Sequence, residues 1–255
     1  MPLTDTHCHL QDSRYGNTLP NVLARARSAD VTGFVCCGSS EADWKDVISL
    51  TEREIGIIPM LGLHPWYIDE AQSCWEKRLY DLLENASIGA GECGLDFAIP
   101  DANHEYQLAA LNIQWNMALE LDRPLSLHCR KAFDAMFKIA NEIGLPNKGA
   151  VIHAFSGSAE QAKTAIKHGF YLSFACSLMN PKNKRAHKAL LAVPPERLLL
   201  ETDSPDISPI KETLNEPANL ANLFNDVAEL LGQAPETLEK QLQDNVNRVF
   251  GNIEL

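Results

Sequence analysis

The sequence predicts an α/β fold, a (β/α)8 TIM barrel formed as a single domain over 1-255, and three observations predict it. Eight short β-rich runs alternate with amphipathic helical stretches, the pattern of a parallel sheet covered by helices. The length of 255 residues suits one such barrel, and no Pro/Gly/Ser-rich linker divides it. Histidines and carboxylates fall repeatedly at the C-terminal ends of the β-rich runs, the rim on which barrels of this kind carry their active sites.

The runs follow in order. Pro2 to Thr6 opens the chain, and the segment TDTHCHL that contains its end places Asp5, His7 and His9 on alternate positions. In a strand these three project to one face, with Thr6 and Cys8 on the other. The next runs are Gly33 to Cys37, Ile57 to Leu61, Ser87 to Gly91, Pro124 to Leu127, Ala150 to Ile152, Tyr171 to Phe174 and Leu198 to Glu201. Helical periodicity separates them. Leu108, Leu111, Trp115 and Leu119 recur at spacings of three and four, as do Leu220, Leu223, Phe224, Val227, Leu230 and Leu231, with Gly232 placed to end that helix. A last helix starts near Pro235, aligns Leu238, Leu242, Val246, Val249 and Phe250, and stops at Gly251.

Composition excludes several classes. An N-terminus without a basic stretch followed by an apolar one, and the absence of a run of roughly 18 apolar residues, argue against a secretory signal or a transmembrane helix. A cytoplasmic protein with no membrane attachment and no obligatory protein partner is expected. Seven cysteines, an odd number without a C-x-x-C pair, should be reduced thiols, with neither a disulfide framework nor a zinc knuckle. Cys8, Cys93 and Cys129 each follow or adjoin a polar rim residue and read as small apolar fillers turned away from it. A net charge of −12 opposes a broad electrostatic grip on duplex nucleic acid, though not contact with phosphate at an active site.

Four imidazoles and two carboxylates gather on the expected rim: His7, His9, Glu92, His128, His153 and Asp203. They are too many for one tetrahedral zinc, but suit two divalent ions that share a bridging ligand. Glu92, with two oxygens, is the expected bridge, while His7, His9 and Asp203 hold one ion and His128 and His153 the other. A hydroxide between the ions becomes a nucleophile near neutral pH, and Asp203 accepts its proton. Asp203 and Glu92 are therefore the expected catalytic pair. Asp5 is placed to orient one histidine from behind. Nitrogen and oxygen ligation without cysteine fits zinc, manganese, magnesium or cobalt.

The motifs TDTHCHL, GLHPW at 62 to 66, GAGECGLDF at 89 to 97, LHCR at 127 to 130, HAFSG at 153 to 157, LLLETDSP at 198 to 205 and NEP at 215 to 217 together resemble the TatD family of metal-dependent hydrolases. NVNRVFG near the end resembles that family's closing motif, so the likeness covers nearly the whole chain. It implies an amidohydrolase-type barrel, two metals, deoxyribonuclease activity on DNA ends, and the same six ligands. Two departures stand out: Cys129 where the family commonly has serine, and a loop after Asp203, SPDISPIKETLNEP, less basic than usual.

Other rim residues carry two readings each. His64, before Pro65, is either a substrate contact or an ordinary loop residue; Arg130 either forks onto a phosphate or pairs with a neighbouring helix; Glu201 either supports the metal ligands or pairs within the barrel wall. Gly89, Gly91 and Gly94 satisfy G-x-G-x-x-G, but no helix follows, so dinucleotide binding is discarded. The KNKR run at 182 to 185 reads as a solvated turn. The leading function is a phosphodiesterase, an exodeoxyribonuclease acting on single-stranded nucleic-acid ends. The alternative is an amidase, lactonase or deacylase that uses the same metal centre on a small-molecule carbonyl.

Overall fold

The computed structural model describes residues 2–85 and 87–251. Eight parallel strands stand in the order β1 Leu3–Cys8, β2 Val31–Gly38, β3 Ile57–Leu61, β4 Gly89–Asp96, β5 Leu125–Arg130, β6 Ala150–Ile152, β7 Tyr171–Phe174 and β8 Leu198–Leu200, each paired with the next. The described helices are α1 Leu19–Ser28, α2 Trp44–Arg53, α3 Trp75–Leu83, α4 His104–Glu120, α5 Phe133–Ile143, α6 Ala159–Lys167, α7 Lys184–Leu190, α8 Leu220–Leu231 and α9 Pro235–Phe250. Two helices follow β8, so the helix layer exceeds one per strand.

Closure comes from residues just past the strand ends. The N–H of Asp203 donates to the carbonyl of His7 at 3.0 Å, that of His9 donates to the carbonyl of Ser204 at 2.7 Å, and Cys8 bridges Ser204 in parallel. This seam fixes Asp203 beside the His7–His9 segment. Asp203 itself has φ +56, a left-handed conformation that aspartate tolerates better than most side chains.

Three strands run further than polarity suggests. β1 reaches Cys8, β4 reaches Asp96 and β5 reaches Arg130, so His7, Glu92 and His128 lie within strands. A parallel ladder depends on backbone pairing and is indifferent to polar side chains, and Gly94 pairs with His128 and Asp96 with Arg130. Glycine makes the β4–β5 approach possible: a Cβ on Gly94, at φ +152, would stand 2.0 Å from the His128 carbonyl oxygen. The register of β1 against β2 also shifts between Asp5 and Cys8, which breaks the simple alternation along TDTHCHL.

Helix α4 pins the strand ends from outside. The Leu111–Trp115–Ala118 stripe is buried in the core, and two buried glutamines beside it bond the backbone. Gln107 Oε1 accepts from Asp96 N at 2.8 Å and Gln114 Oε1 accepts from Leu63 N at 2.7 Å, while each amide donates back to the carbonyl of the same residue. The pairs hold the end of β4 and the turn before His64 in place. Helix α6 opens with a capping box, Ser158 with Gln161, just after His153. Gly232 ends α8 and Pro235 opens α9, as the periodicity indicates.

All seven cysteines are free thiols, and Cys74 alone is exposed. Cys8, Cys93 and Cys129 lie in the hydrophobic core. No helix among the described residues is long and apolar enough to cross a membrane.

Candidate metal centre

The barrel brings all six rim residues to one place from five strands or the turns after them, His7 and His9 both from β1 and its end. Nε2 of His7 and of His9 are 3.3 Å apart, His153 stacks on His7 with ring centroids 3.8 Å apart, and His128 Nδ1 lies 3.4 Å from His153 Nε2. Asp203 Oδ1 lies 3.6 Å from His9 Nε2 and 3.9 Å from His7 Nε2.

Glu92 sits at the centre with its two oxygens facing two groups of rings. Oε2 is 3.5 Å from Nε2 of both His7 and His9. Oε1 is 2.8 Å from His153 Nε2, 3.2 Å from His128 Nδ1 and 3.2 Å from His64 Nε2. Potential ligand atoms lie within 4.8 Å of one another in three overlapping groups: His7, His153 and Asp203; His7, His9 and Glu92; His64, Glu92 and His128. This density of imidazole and carboxylate donors, without thiolate, fits divalent metal.

The second nitrogen of each ring tells the histidines apart. His9 Nδ1 bonds the Cys37 carbonyl at 2.7 Å, His153 Nδ1 bonds Glu201 Oε1 at 3.3 Å, and His128 Nε2 bonds Asp96 Oδ2 at 3.3 Å. These partners are acceptors, so with a cation bound the ring proton would sit on that nitrogen and the lone pair would face the centre. His7 Nδ1 bonds the Ser126 hydroxyl at 2.9 Å, which serves the same arrangement. His64 is the reverse. The Trp66 backbone N–H donates to its Nδ1 at 3.1 Å, leaving the proton on Nε2, where the ring donates toward Glu92. His64 is thus set as a hydrogen-bond donor, and the other four are candidate ligands.

In the metal-free chain the close packing shifts the ionisation of these groups. Burial works against a charge on His9, but the Asp203 hydrogen bond and the charges of Glu92 and Asp203 outweigh it and push the group up to about 9. His153 is likewise held well above the usual imidazole range, against burial, by Glu92 and Glu201. Burial and then the His153 charge push His7 down to about 4. Glu92, buried, stays well below the usual carboxylate range because the surrounding imidazoles overcome desolvation.

The remaining expected residues divide. Glu201 is fully buried, bonds His153 Nδ1 and accepts from Ala154 N at 2.8 Å, so it supports a candidate ligand. Asp5 does not face a ring: its carboxylate accepts from Thr202 N at 2.8 Å and from the Thr202 hydroxyl, and meets His7 only at the backbone N, 3.4 Å away. Asp5 braces the segment that carries Asp203 instead, and the β1 register shifts just after it. Arg130 is exposed, with Nη1 3.8 Å from Asp96 Oδ2.

Sequence reasoning passed over Asp96, Ser126 and Cys37, whose sulfur lies 3.4 Å from His7 Nδ1. Asp96 was within reach of it, since Glu92, Gly94 and Asp96 share a face once β4 is extended. Its Oδ2 also accepts the Trp66 indole N–H at 2.9 Å.

Comparison with known proteins gives a consistent set of likenesses. The family model of TatD related DNases matches residues 4–251. A protein of Klebsiella pneumoniae named 3'-5' ssDNA/RNA exonuclease TatD is 31% identical, covering 97% of this chain and 97% of its own length. The uncharacterized metal-dependent hydrolase YabD of Bacillus subtilis is 30% identical, over 97% of this chain and 98% of its own. The crystal structure of YJJV, a TatD homologue of Escherichia coli, superposes with a TM-score of 0.94 at 27% identity, covering 98% of both chains.

Proposed function

The chain belongs to the TatD-related DNase family, and on that premise we propose that it is a two-metal phosphodiesterase that removes nucleotides from single-stranded nucleic-acid ends. The observation that carries the reading is the position of Glu92, one oxygen toward His7 and His9 and the other toward His128 and His153. Such a carboxylate suits the place between two cations.

His7, His9 and Asp203 would hold one divalent ion, zinc, manganese, magnesium or cobalt, and His128 and His153 the other, with Glu92 shared. When bound, two ions polarise a phosphoryl oxygen and lower the pKa of water toward about 7. Asp203 is the proton acceptor for the attacking water, because its side chain is 14% exposed while that of Glu92 is 5% exposed and ringed by histidines. His64 turns its Nε2–H into the site and donates to an oxygen of the substrate. Arg130, exposed at the end of β5, offers a forked donor to a phosphate. Glu201, Asp96 and the Cys37 carbonyl keep the rings from turning.

Residues 1-255 act as one hydrolase barrel in this reading, since one sheet runs from Leu3 to Leu200 and both ends of it supply ligands. Free, mostly buried thiols support a reducing, cytoplasmic setting. The test is a substrate panel under one metal condition: end-labelled single-stranded DNA and RNA, blunt linear duplex, closed circular duplex, and lactone and acyl esters. Stepwise shortening of single strands is expected. Rapid nicking of the closed circle, or turnover confined to the carbonyl substrates, overturns the reading.

A further inference from the structure

Two runs that the sequence separates by two strand–helix units meet past the C-terminal end of β5. Arg130 and Lys131, at the end of β5, line a cavity of about 690 Å³ together with Arg185, from the first turn of α7. Ser156, three residues after His153, and Phe97, just after β4, complete the walls that matter here. Three cations face one carboxylate, that of Asp134. The KNKR run is therefore not only a solvated turn: its last residue lines the same cavity as Arg130 and Lys131.

Two of these cations, Lys131 and Arg185, are uncommitted, while Arg130 pairs loosely with Asp96 at 3.8 Å. Arg14, Arg25, Arg27 and Arg78 each sit in an ion pair with a carboxylate at 3.0 Å or less. Lys131 and Arg185 have no ion pair among the described residues, and Arg185 makes a single long bond, 3.4 Å, to Gln161 Oε1. The cavity is open and of a size that takes a nucleotide. Phe97 adds an aromatic surface, of the kind on which bases of single strands stack. On the other side of Arg130 lies a cavity of about 390 Å³ that carries Asp69 and Asp101 and no cation besides Arg130 itself. Two carboxylates against one cation make it the less favourable side for a phosphate.

We propose that the cavity between β5 and α7 is a phosphate subsite for the continuing strand, in which Lys131 and Arg185 hold the phosphate next to the scissile one and thereby make oligonucleotides, rather than single phosphodiesters, the preferred substrate. The proposal rests on the nuclease reading and adds to it a substrate length and two specificity-determining residues. Arg130 is the hinge between the two positions, because its guanidinium borders the cavity while its Nη1 approaches Asp96, the partner of His128.

The experiment compares the wild-type chain with Lys131→Gln/Arg185→Gln and with Lys77→Gln/Lys240→Gln, which removes the same charge from exposed ion pairs elsewhere. Thermal melting verifies that each folds. Two readouts are taken: equilibrium binding of a labelled tetranucleotide to chelated, metal-free protein across a salt series, and KM of the metal-loaded enzyme for a dinucleotide and a tetranucleotide. The wild type should favour the tetranucleotide, and Lys131→Gln/Arg185→Gln should lose roughly tenfold in tetranucleotide affinity, with the logarithmic salt slope smaller by about 0.7, the value for one phosphate of a single strand. The control pair should keep both. If the wild type prefers the longer substrate and Lys131→Gln/Arg185→Gln retains the full preference and slope, the subsite falls while the nuclease reading stands. If the wild type neither binds nor cleaves either oligonucleotide, the nuclease reading fails and takes the subsite with it.

Discussion

Oδ2 of Asp96 holds Nε2 of His128 at 3.3 Å and at the same time accepts the indole N–H of Trp66 at 2.9 Å. The carboxylate is fully buried, so it is committed to these partners and to the Ala98 N–H, 2.9 Å from Oδ1. It fixes the tautomer of His128 and turns Nδ1 toward Glu92.

Asp96→Asn should therefore weaken divalent-metal affinity by about 10–100-fold, the usual cost of losing an outer partner of a ligating histidine. Competition with a chromophoric chelator measures it. Unchanged affinity would show that His128 needs no such support.

His64 and His128 should respond differently to truncation, because their ring protons lie on opposite sides relative to the centre. His128→Ala should lose one ion per chain by elemental analysis. His64→Ala should keep the metal content and slow turnover by about tenfold or more, as for a lost hydrogen bond to a charged group. Loss of an ion from His64→Ala would make it a ligand after all.

Asp203→Asn should keep the fold and lower turnover by at least about 10²-fold, the low end of general acid–base catalysis. A loss below about tenfold, with metal content preserved, contradicts the role of proton acceptor.

Metal affinity should rise with pH. His9, pushed up to about 9, and His153, held well above its usual range, both carry a proton on the metal-free chain at neutral pH. Each must release it to offer a lone pair, so binding expels protons and is favoured as pH climbs toward 9, by about tenfold per unit for each proton displaced. Calorimetry in buffers of different ionisation enthalpy counts the protons. Affinity that is flat between neutral pH and 9 would mean that the rings are already neutral.

Gly94→Ala should destabilise the fold by about 2–4 kcal/mol, among the larger effects of single substitutions. The new methyl would meet the His128 carbonyl at 2.0 Å on a backbone at φ +152. Denaturant melts test it; a loss under about 1 kcal/mol would show that β4 and β5 part without penalty.

The barrel and its rim were legible because both rest on periodic features: alternating β-rich runs, and polar residues recurring at their C-terminal ends. Ile57–Leu61, Ala150–Ile152 and Tyr171–Phe174 stand where the hydrophobic runs put them. Three strands extend past their hydrophobic runs into residues of the functional face, His7 to Cys8, Glu92 to Asp96 and His128 to Arg130, because a hydrophobic pattern stops where that face begins; β2 also extends, at both ends, and β8 stops one residue before Glu201. Asp5 meets Thr202 and not a ring. Alternation assumes an unbroken register, and a shift against β2 is a pairing fact that no single segment encodes. The outer partners of the rings, Ser126, Asp96 and the Cys37 carbonyl, come from other strands and only tertiary contact selects them.

The seam that closes the barrel also sets an order of assembly. Asp5 and Thr202, which brace it, are 197 residues apart in sequence, and His7 and His9 meet Asp203 only across it. A chain emerging from the ribosome thus exposes two histidines at once but has no complete centre until Ser204 has been translated and paired with Cys8. The centre is therefore a late property of the finished ring, because the contacts that assemble it join the first strand to the last.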